Sequence, residues 1–335
     1  MNESIKTNKK SNNGLLLRLV RSDEFNVLIP LIVIMMITVI FRPDFIQVSN
    51  LMSILGQLSF IAIVALAASF TLMTGNVDIS TGRIAGLAGM IFATLIVYSN
   101  WHWVPAMLLA LVVSAVIGLI NGFMIVKVQL PDFVATMGMM YVAGGVRYLL
   151  IRPGNIQISV AEAPAGEGIV AFFDGRFLGL PIYCWIMLAI FAIAFFVIKK
   201  TMWGRRLLAC GDNREVAALA GIPVSKMRIS AYVICALLCG IAGLLITLDV
   251  GLGLPETGDG WEFRGIAGCA VGGVSLAGGK GSPLGVLIGI TLVFITEAAI
   301  IFLGFPTTLR IAIRGIIMAL AVLYDTMRQN KKINA

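Results

Sequence analysis

The sequence predicts an all-α, polytopic membrane protein of about ten transmembrane helices, some of them broken or re-entrant at Gly-rich segments. Three observations carry this fold class. Charged residues make up 13% of the 335 residues and hydrophobic residues 59%, whereas soluble domains carry about 25% charge and need it to clothe a wet surface. The apolar residues come in separate runs of roughly 20, the length at which a helix crosses a hydrocarbon core. These runs are apolar throughout, which excludes a barrel of alternating strands. The 36 glycines point the same way, since small residues let membrane helices approach closely.

The first 26 residues are polar and basic and read as a cytoplasmic tail, 1–26. No A-x-A-like site follows the first apolar run, so it reads as a retained span and not a signal peptide. The runs lie at about 27–41, 57–74, 83–97, 104–126, 133–151, 180–198, 229–248, 263–279, 284–304 and 309–325. They make up a transmembrane domain over 27–325, followed by a second cytoplasmic tail, 326–335. With the N-terminus inside, eighteen of the 25 Lys and Arg residues fall on the inner side. The outer side and outer span ends receive Arg42, Arg147, Arg152, Arg176, Arg264, Arg310 and Arg314, mingled with acids such as Asp44, Glu256 and Asp259. That split obeys the positive-inside rule.

Composition excludes several function classes. The net charge of +8 belongs to inner loops, so no nucleic-acid partner is expected. One histidine, His102 beside two Trp, reads as an interface residue and leaves no His-based triad or metal cluster. Cys184, Cys210, Cys235, Cys239 and Cys269 lack metal spacing and read as small packing residues. The nearest thing to a phosphate loop, VSLAGGKG, has Val274 in place of the first Gly and Gly281 in the Ser/Thr place. No cofactor is expected on this chain.

Three stretches break the apolar pattern. In LMTGNVDISTGRIAGLAGM (72–90), Asn76, Asp78, Ser80, Thr81 and Arg83 interrupt two runs. In KVQLPDFVATMGMMYVAGGV (127–146), Pro131 and Asp132 open a span carrying Thr136. The third, WEFRGIAGCAVGGVSLAGGKGSPLG (261–285), is dense in glycine and contains Ser275. Each reads either as a plain turn or as a broken helix facing a cavity or the protein interior. The first and third share a layout, a Gly-rich turn between two spans.

The longest inner connection, 199–228, has its own structure. Asp212 or Asn213 caps a helix of about two turns from Arg214 to Ala220, Glu215 lies in the first turn, and Gly221 with Pro223 stops it. So short a helix needs something to pack against.

The string GRRLLACGDNREVAALAGIPVSKMR resembles the cytoplasmic loop of ribose-type sugar permeases, the membrane subunits of bacterial ATP-binding-cassette importers in the branched-chain amino acid/sugar permease family. Gly204 with Arg205, Ala209 to Asn213, Ala217 with Ala218, and Gly221 with Ile222 match its elements in order. GNVDISTGRIAGLAGM is similar to its Gly-x-Asp-x-Ser segment, DFVATMGMMYVAGGV to its F-x-x-T-x-G segment, and EFRGIAGCAVGGVSLAGGKGSPLG to its E-x-x-x-I-A segment. The sequence departs from the pattern at Asp212, where Gly is usual, and at Glu297, where an Asn-Gly pair is common.

The resemblance implies a permease subunit of the bacterial cytoplasmic (inner) membrane that imports a sugar or sugar-like solute and is not itself an enzyme. It implies a second permease, identical or paralogous, a cytosolic ATPase subunit carrying ATP and Mg, and an extracytoplasmic solute-binding protein. Gly211, Asp212, Asn213, Glu215, Ala217, Ala218, Gly221 and Ile222 are the residues expected to couple to the ATPase. Asn76, Asp78, Ser80, Thr81, Thr136 and Ser275 suit the pathway of a neutral polyol, which offers hydrogen bonds and little charge. The alternative is an ion-gradient-driven carrier, which needs buried carboxylates; Asp78, Asp132, Glu262 and Glu297 are its candidates.

Overall fold

The computed structural model describes residues 23–306 and, beyond them, 308, 309, 312, 313, 315, 316, 319 and 323. Most of both expected tails, and of the expected span at 309–325, lies outside the described residues. Twelve α-helices run through the described part: α1 (Asp23–Phe41), α2 (Val48–Leu72), α3 (Thr81–Ser99), α4 (Trp103–Val126), α5 (Asp132–Leu149), α6 (Glu167–Phe173), α7 (Ile182–Lys200), α8 (Met202–Asp212), α9 (Arg214–Leu219), α10 (Val224–Val250), α11 (Trp261–Val271) and α12 (Pro283–Phe302). Six of these, α2, α3, α4, α7, α10 and α12, are long and apolar enough to cross a membrane. Strands are confined to two short antiparallel pairs, Ile158–Ser159 with Leu252–Gly253 and Arg176–Phe177 with Leu180–Pro181.

The local chemistry accounts for several boundaries. His102 caps α4, its Nδ1 accepting from the Val104 amide at 3.3 Å. Thr201 caps α8 by accepting from the Gly204 amide at 3.2 Å. Gly251, at φ +71°, ends α10 in the left-handed conformation that glycine adopts without penalty. Pro283 occupies the first turn of α12, where its missing N–H costs nothing.

Helix α10 is the hub. It packs along α4, α3 and α2, and the main core gathers residues of α2 and α10 such as Phe60, Leu66, Ala231, Cys235 and Cys239. All five cysteines are free and buried. Two ends of the bundle are distinct. One carries α8 and α9, where Met73 meets Gly211. The opposite end carries α6 and the strand pairs, where Gly251 meets Ala161 and Val170.

The expected count of about ten spans is not matched one for one, since six helices are long and apolar enough to cross, and the run at 263–279 takes the broken-helix form of the two that its glycine-rich stretch allowed. Helix α11 has only 11 residues, about 16 Å at 1.5 Å per residue, half of what a hydrocarbon core requires. From Gly272 to Ser282 the chain is irregular. Glycines at Gly272, Gly278 and Gly279 sit where a Cβ would strike neighbouring backbone, so the segment is packed inside protein where its polar groups find partners. A second correction concerns charge. Arg83 and Asp259 were assigned to opposite sides by the hydropathy reading, yet Arg83 Nη1 lies 2.5 Å from Asp259 Oδ1. Asp259 belongs to the break after α10 and Arg83 to the first turn of α3, just past the break after α2, and both breaks turn back into the bundle.

Candidate functional site

The first break follows α2. The helix stops at Leu72, residues 76–80 run on without helical bonding, and α3 begins at Thr81. A stretch of unpaired backbone inside an apolar bundle must be satisfied by side chains, and here it is. Asp132 Oδ2, on the first turn of α5, accepts from the Val77 amide at 2.8 Å and from Asn76 Nδ2 at 3.2 Å. One turn along α5, Thr136 Oγ1 accepts from the Ile79 amide at 3.3 Å. Tyr232 of α10 donates its hydroxyl to the Val77 carbonyl at 3.4 Å. Asp78 Oδ1 accepts from both the amide and the hydroxyl of Ser80, at 2.8 and 2.5 Å, and Ser80 Oγ accepts from Asn121 of α4 at 3.0 Å.

Five expected pathway residues thus come together: Asn76, Asp78, Ser80, Thr81 and Thr136, all buried. Ser275 does not join them; it lies in the 272–282 segment, its amide donating to the Lys280 carbonyl at 3.2 Å. Within the cluster, Asp78 Oδ2, Thr81 Oγ1 and Asn121 Oδ1 are buried with no hydrogen-bond partner among the described residues. Asn121, Tyr232 and Arg228 were missed by sequence reasoning. Asn121 and Tyr232 lie inside apolar runs, and Arg228 read simply as an inner-side charge.

The connection 199–228 grips this break directly. Arg214 Nη2 donates to the Gly75 carbonyl at 3.1 Å and to the Thr74 carbonyl and Asn76 Oδ1 at 3.3 Å. Arg228 Nε donates to the same Asn76 oxygen at 3.0 Å. The Gly279 amide donates to the Met73 carbonyl at 3.0 Å, and a methyl group at Gly211 would overlap that carbonyl. Loop 199–228, the first break and the glycine-rich segment after α11 therefore share one contact.

Within the loop, the expected helix is α9, and the cap is Asn213, whose Oδ1 accepts from the Glu215 and Val216 amides at 3.0 Å each. Asp212 instead ends a further helix, α8, whose basic and amphipathic residues give no run of hydropathy to mark it in the sequence. Asp212, Asn213, Glu215, Ala218 and Gly221 are exposed, while Gly211 and Ile222 are half-buried. Ala217 is 3% exposed and packs inward, so the expectation that it offers a small contact to a partner does not fit its position. Val216 and Leu219, at 59% and 89%, form the open face. Cys210, on the buried face of α8, has its thiol pushed above the ordinary range by desolvation, which outweighs the opposing pull of Arg228 and Arg214.

The second break follows α10. After Gly251 the chain turns back, and α11 begins at Trp261. Asp259 receives Arg83 and also Arg147, a fully buried residue of α5 whose Nη2 lies 2.8 Å away and whose Nη1 donates to the Thr257 carbonyl at 2.6 Å. A Cβ at Gly82 would overlap the Gly258 carbonyl, and Glu262 lies against the same glycine. The N-termini of α3 and α11 thus meet, running to opposite ends of the bundle. Beside this junction, Arg83, Met140, Tyr141, Gly144, Gly145 and Tyr148 line a cavity of about 300 Å³.

The family model described as "Branched-chain amino acid transport system / permease component" matches residues 50–322. Among curated proteins, the chain is 32% identical to an L-arabinose ABC transporter permease of Azospirillum brasilense, covering 87% of this chain and 84% of that protein. It is 32% identical to the ribose import permease of Escherichia coli strain K12 over 90% and 93% of the two chains. The ribose import permease of Bacillus subtilis strain 168 is likewise 32% identical over 88% and 90%. No solved structure matches the chain.

Proposed function

The chain belongs to this family of transport-system permease components, and from that premise we propose that it is the membrane subunit of an ATP-driven importer for a sugar or sugar-like solute. The observation that carries the coupling is the grip of Arg214 on residues 74–76. The chain has a surface helix, α9, whose exposed Val216 and Leu219 suit a groove on a cytosolic ATPase, and whose first residue holds the chain break. A tilt of α9 imposed from outside is transmitted to that break through the Arg214 side chain alone.

In this reading α8 and α9 face the cytoplasm, and α6 with the strand pairs faces outward toward a solute-binding protein. The break is a gate and not a wall. Its buried atoms without partners, Asp78 Oδ2, Thr81 Oγ1 and Asn121 Oδ1, are the acceptors and donors a passing hydroxyl meets once the segment moves. The Arg83–Asp259 pair retains 26% and 36% side-chain exposure. Charges at membrane depth face water or protein rather than lipid, so the α5 face beside them is where a second permease closes the passage. ATP and Mg belong to the ATPase, and no cofactor is assigned to this chain.

The test is uptake in cells with ATP held constant. Leu219→Glu and Val216→Glu should leave the protein in the membrane, abolish uptake and release the ATPase on purification. An uncoupler that stops wild-type uptake at constant ATP would favour an ion-driven carrier and end the importer reading.

A further inference from the structure

Helix α5 has 18 residues, the length of a span, but is not among the six helices apolar enough to cross. Part of the reason is its outward face, where Gly138, Tyr141, Gly145 and Tyr148 recur at helical spacing. All four are exposed, Tyr141 at 71% and Tyr148 at 54%. The glycines do not serve packing within the chain. A methyl group at Gly138 or Gly145 would meet nothing within 4 Å, and one at Gly144 would meet only Arg83 Cδ at 3.8 Å, whereas Gly82, Gly86 and Gly89 of α3 are each pressed against a neighbour. Glycine weakens a helix relative to alanine, so the room kept on α5 serves something outside this chain. Gly144 and Gly145 open the cavity of about 300 Å³ that Tyr141, Tyr148, Met140 and Arg83 also line. Lipid does not suit this hollow. Tyr141 stands about 13 Å along α5 from Asp132, where hydrocarbon leaves a phenol hydroxyl unpaired, and Arg83 is a partly exposed charge.

We propose that this hollow is a solute-contacting wall of the passage: the rings of Tyr141 and Tyr148 take the C–H face of a polyhydroxylated solute, and their hydroxyls and Arg83 bind its hydroxyl groups. These groups are available. Among the described residues neither phenol hydroxyl has a hydrogen-bond partner, and Arg83 engages Asp259 through Nη1 alone. An apolar solute leaves all three unpaired. The hollow also adjoins the gate. Helix α5 carries Asp132 and Thr136, which hold the first break, two to three turns before Gly144, and Arg83 lies in the first turn of α3, just past Ser80. A solute against Tyr141 therefore rests beside the segment that has to move, on the face where the second permease closes the passage. The contact is shallow and open, and it holds a solute weakly enough to let it go on.

The proposal rests on the sugar-importer reading and names side chains that the solute touches. The test uses the complete importer, with its ATPase and binding protein, in membrane vesicles. All five native cysteines are buried, so a cysteine introduced on α5 reports its own surroundings. Gly145→Cys should react with a charged, membrane-impermeant thiol reagent about tenfold faster than Ile193→Cys, an exposed position on the apolar helix α7. Tyr141→Ala and Tyr148→Ala should each cut maximal uptake of D-ribose or L-arabinose about tenfold, while ATP hydrolysis stimulated by the loaded binding protein continues. Arg83→Leu should lower uptake likewise, and Arg83→Gln, which still donates, should lose less. Equal labelling at Gly145→Cys and Ile193→Cys, or normal uptake in both Tyr→Ala variants, overturns the contact. Equal loss in the two Arg83 variants overturns the part given to Arg83. If wild type carries neither sugar, or carries one without the ATPase, the importer reading falls instead, and the labelling comparison is read independently of it.

Discussion

The two chain breaks solve one problem in opposite ways. Each follows a long helix, α2 or α10, turns back into the bundle, and restarts as a helix running the other way. The first is held by polar side chains from four other helices: Asp132, Thr136, Tyr232 and Arg214 supply the bonds that the backbone lacks, and Asn121 donates to the Ser80 hydroxyl. The second is held by backbone packed against glycine and by two arginines converging on Asp259. A break braced by many separate hydrogen bonds, each worth about 1 kcal/mol net, can exchange them one at a time. A break seated on carbonyl–glycine contacts and on an ion cluster built around the buried Arg147 has no such intermediate positions. The contrast assigns movement to the first break and anchorage to the second.

The largest expected effect comes from removing the anchor. Arg147→Ala empties the space of a fully buried side chain and takes a donor from the Thr257 carbonyl, while Asp259, partly exposed, keeps Arg83; the loss should be about 2–5 kcal/mol, the range for truncating a large buried side chain. Thermal unfolding in detergent reads this, and an unchanged melting temperature would contradict the anchoring role. Next is Gly82→Ala, whose added methyl must displace the Gly258 carbonyl, at about 1–3 kcal/mol for overpacking. A smaller loss from Gly82→Ala than from Asp132→Ala would reverse the comparison.

Asp132→Ala removes the acceptor of the Val77 amide and Asn76 amide. It should cost about 1–3 kcal/mol while reducing uptake more than stability, because the gate is then unlatched. Asn213→Ala takes away the cap of α9, about 1 kcal/mol, and its consequence should appear as weaker ATPase co-purification with the bundle intact. The smallest effect is chemical. Because desolvation holds the Cys210 thiol above its ordinary range, its thiolate fraction at neutral pH is low, and alkylation should be slow and should rise with pH beyond the point where an exposed thiol has levelled off. Fast labelling at neutral pH would mean that α8 opens away from the break.

Much of the site was legible before folding was considered. Asn76, Asp78, Ser80, Thr81 and Thr136 stood out because a polar residue in an apolar run is conspicuous, and the capping grammar of Asn213, Glu215 and Gly221 is local. Asn121 and Tyr232 were not legible, since one polar group on an otherwise apolar helix carries no sign of where it points. Nor was a cavity of about 400 Å³ whose wall draws Asn50, Asp249, Trp261 and Glu297 from four segments far apart in the chain.

By itself the sequence determined that the chain is a helical membrane protein, where most helices begin and end, and which loop is structured. Those are consequences of hydropathy run length and of capping and turn chemistry, all of which act over a few residues. Tertiary structure alone decided that α11 is half a span, that Arg83 and Asp259 are partners, and that Ala217 points inward while Leu219 points out. Each of these depends on which surface lies across the gap. The free energy of a buried charge or of a carbonyl against a glycine is set by the neighbour brought to it, not by the residues on either side of it in the chain.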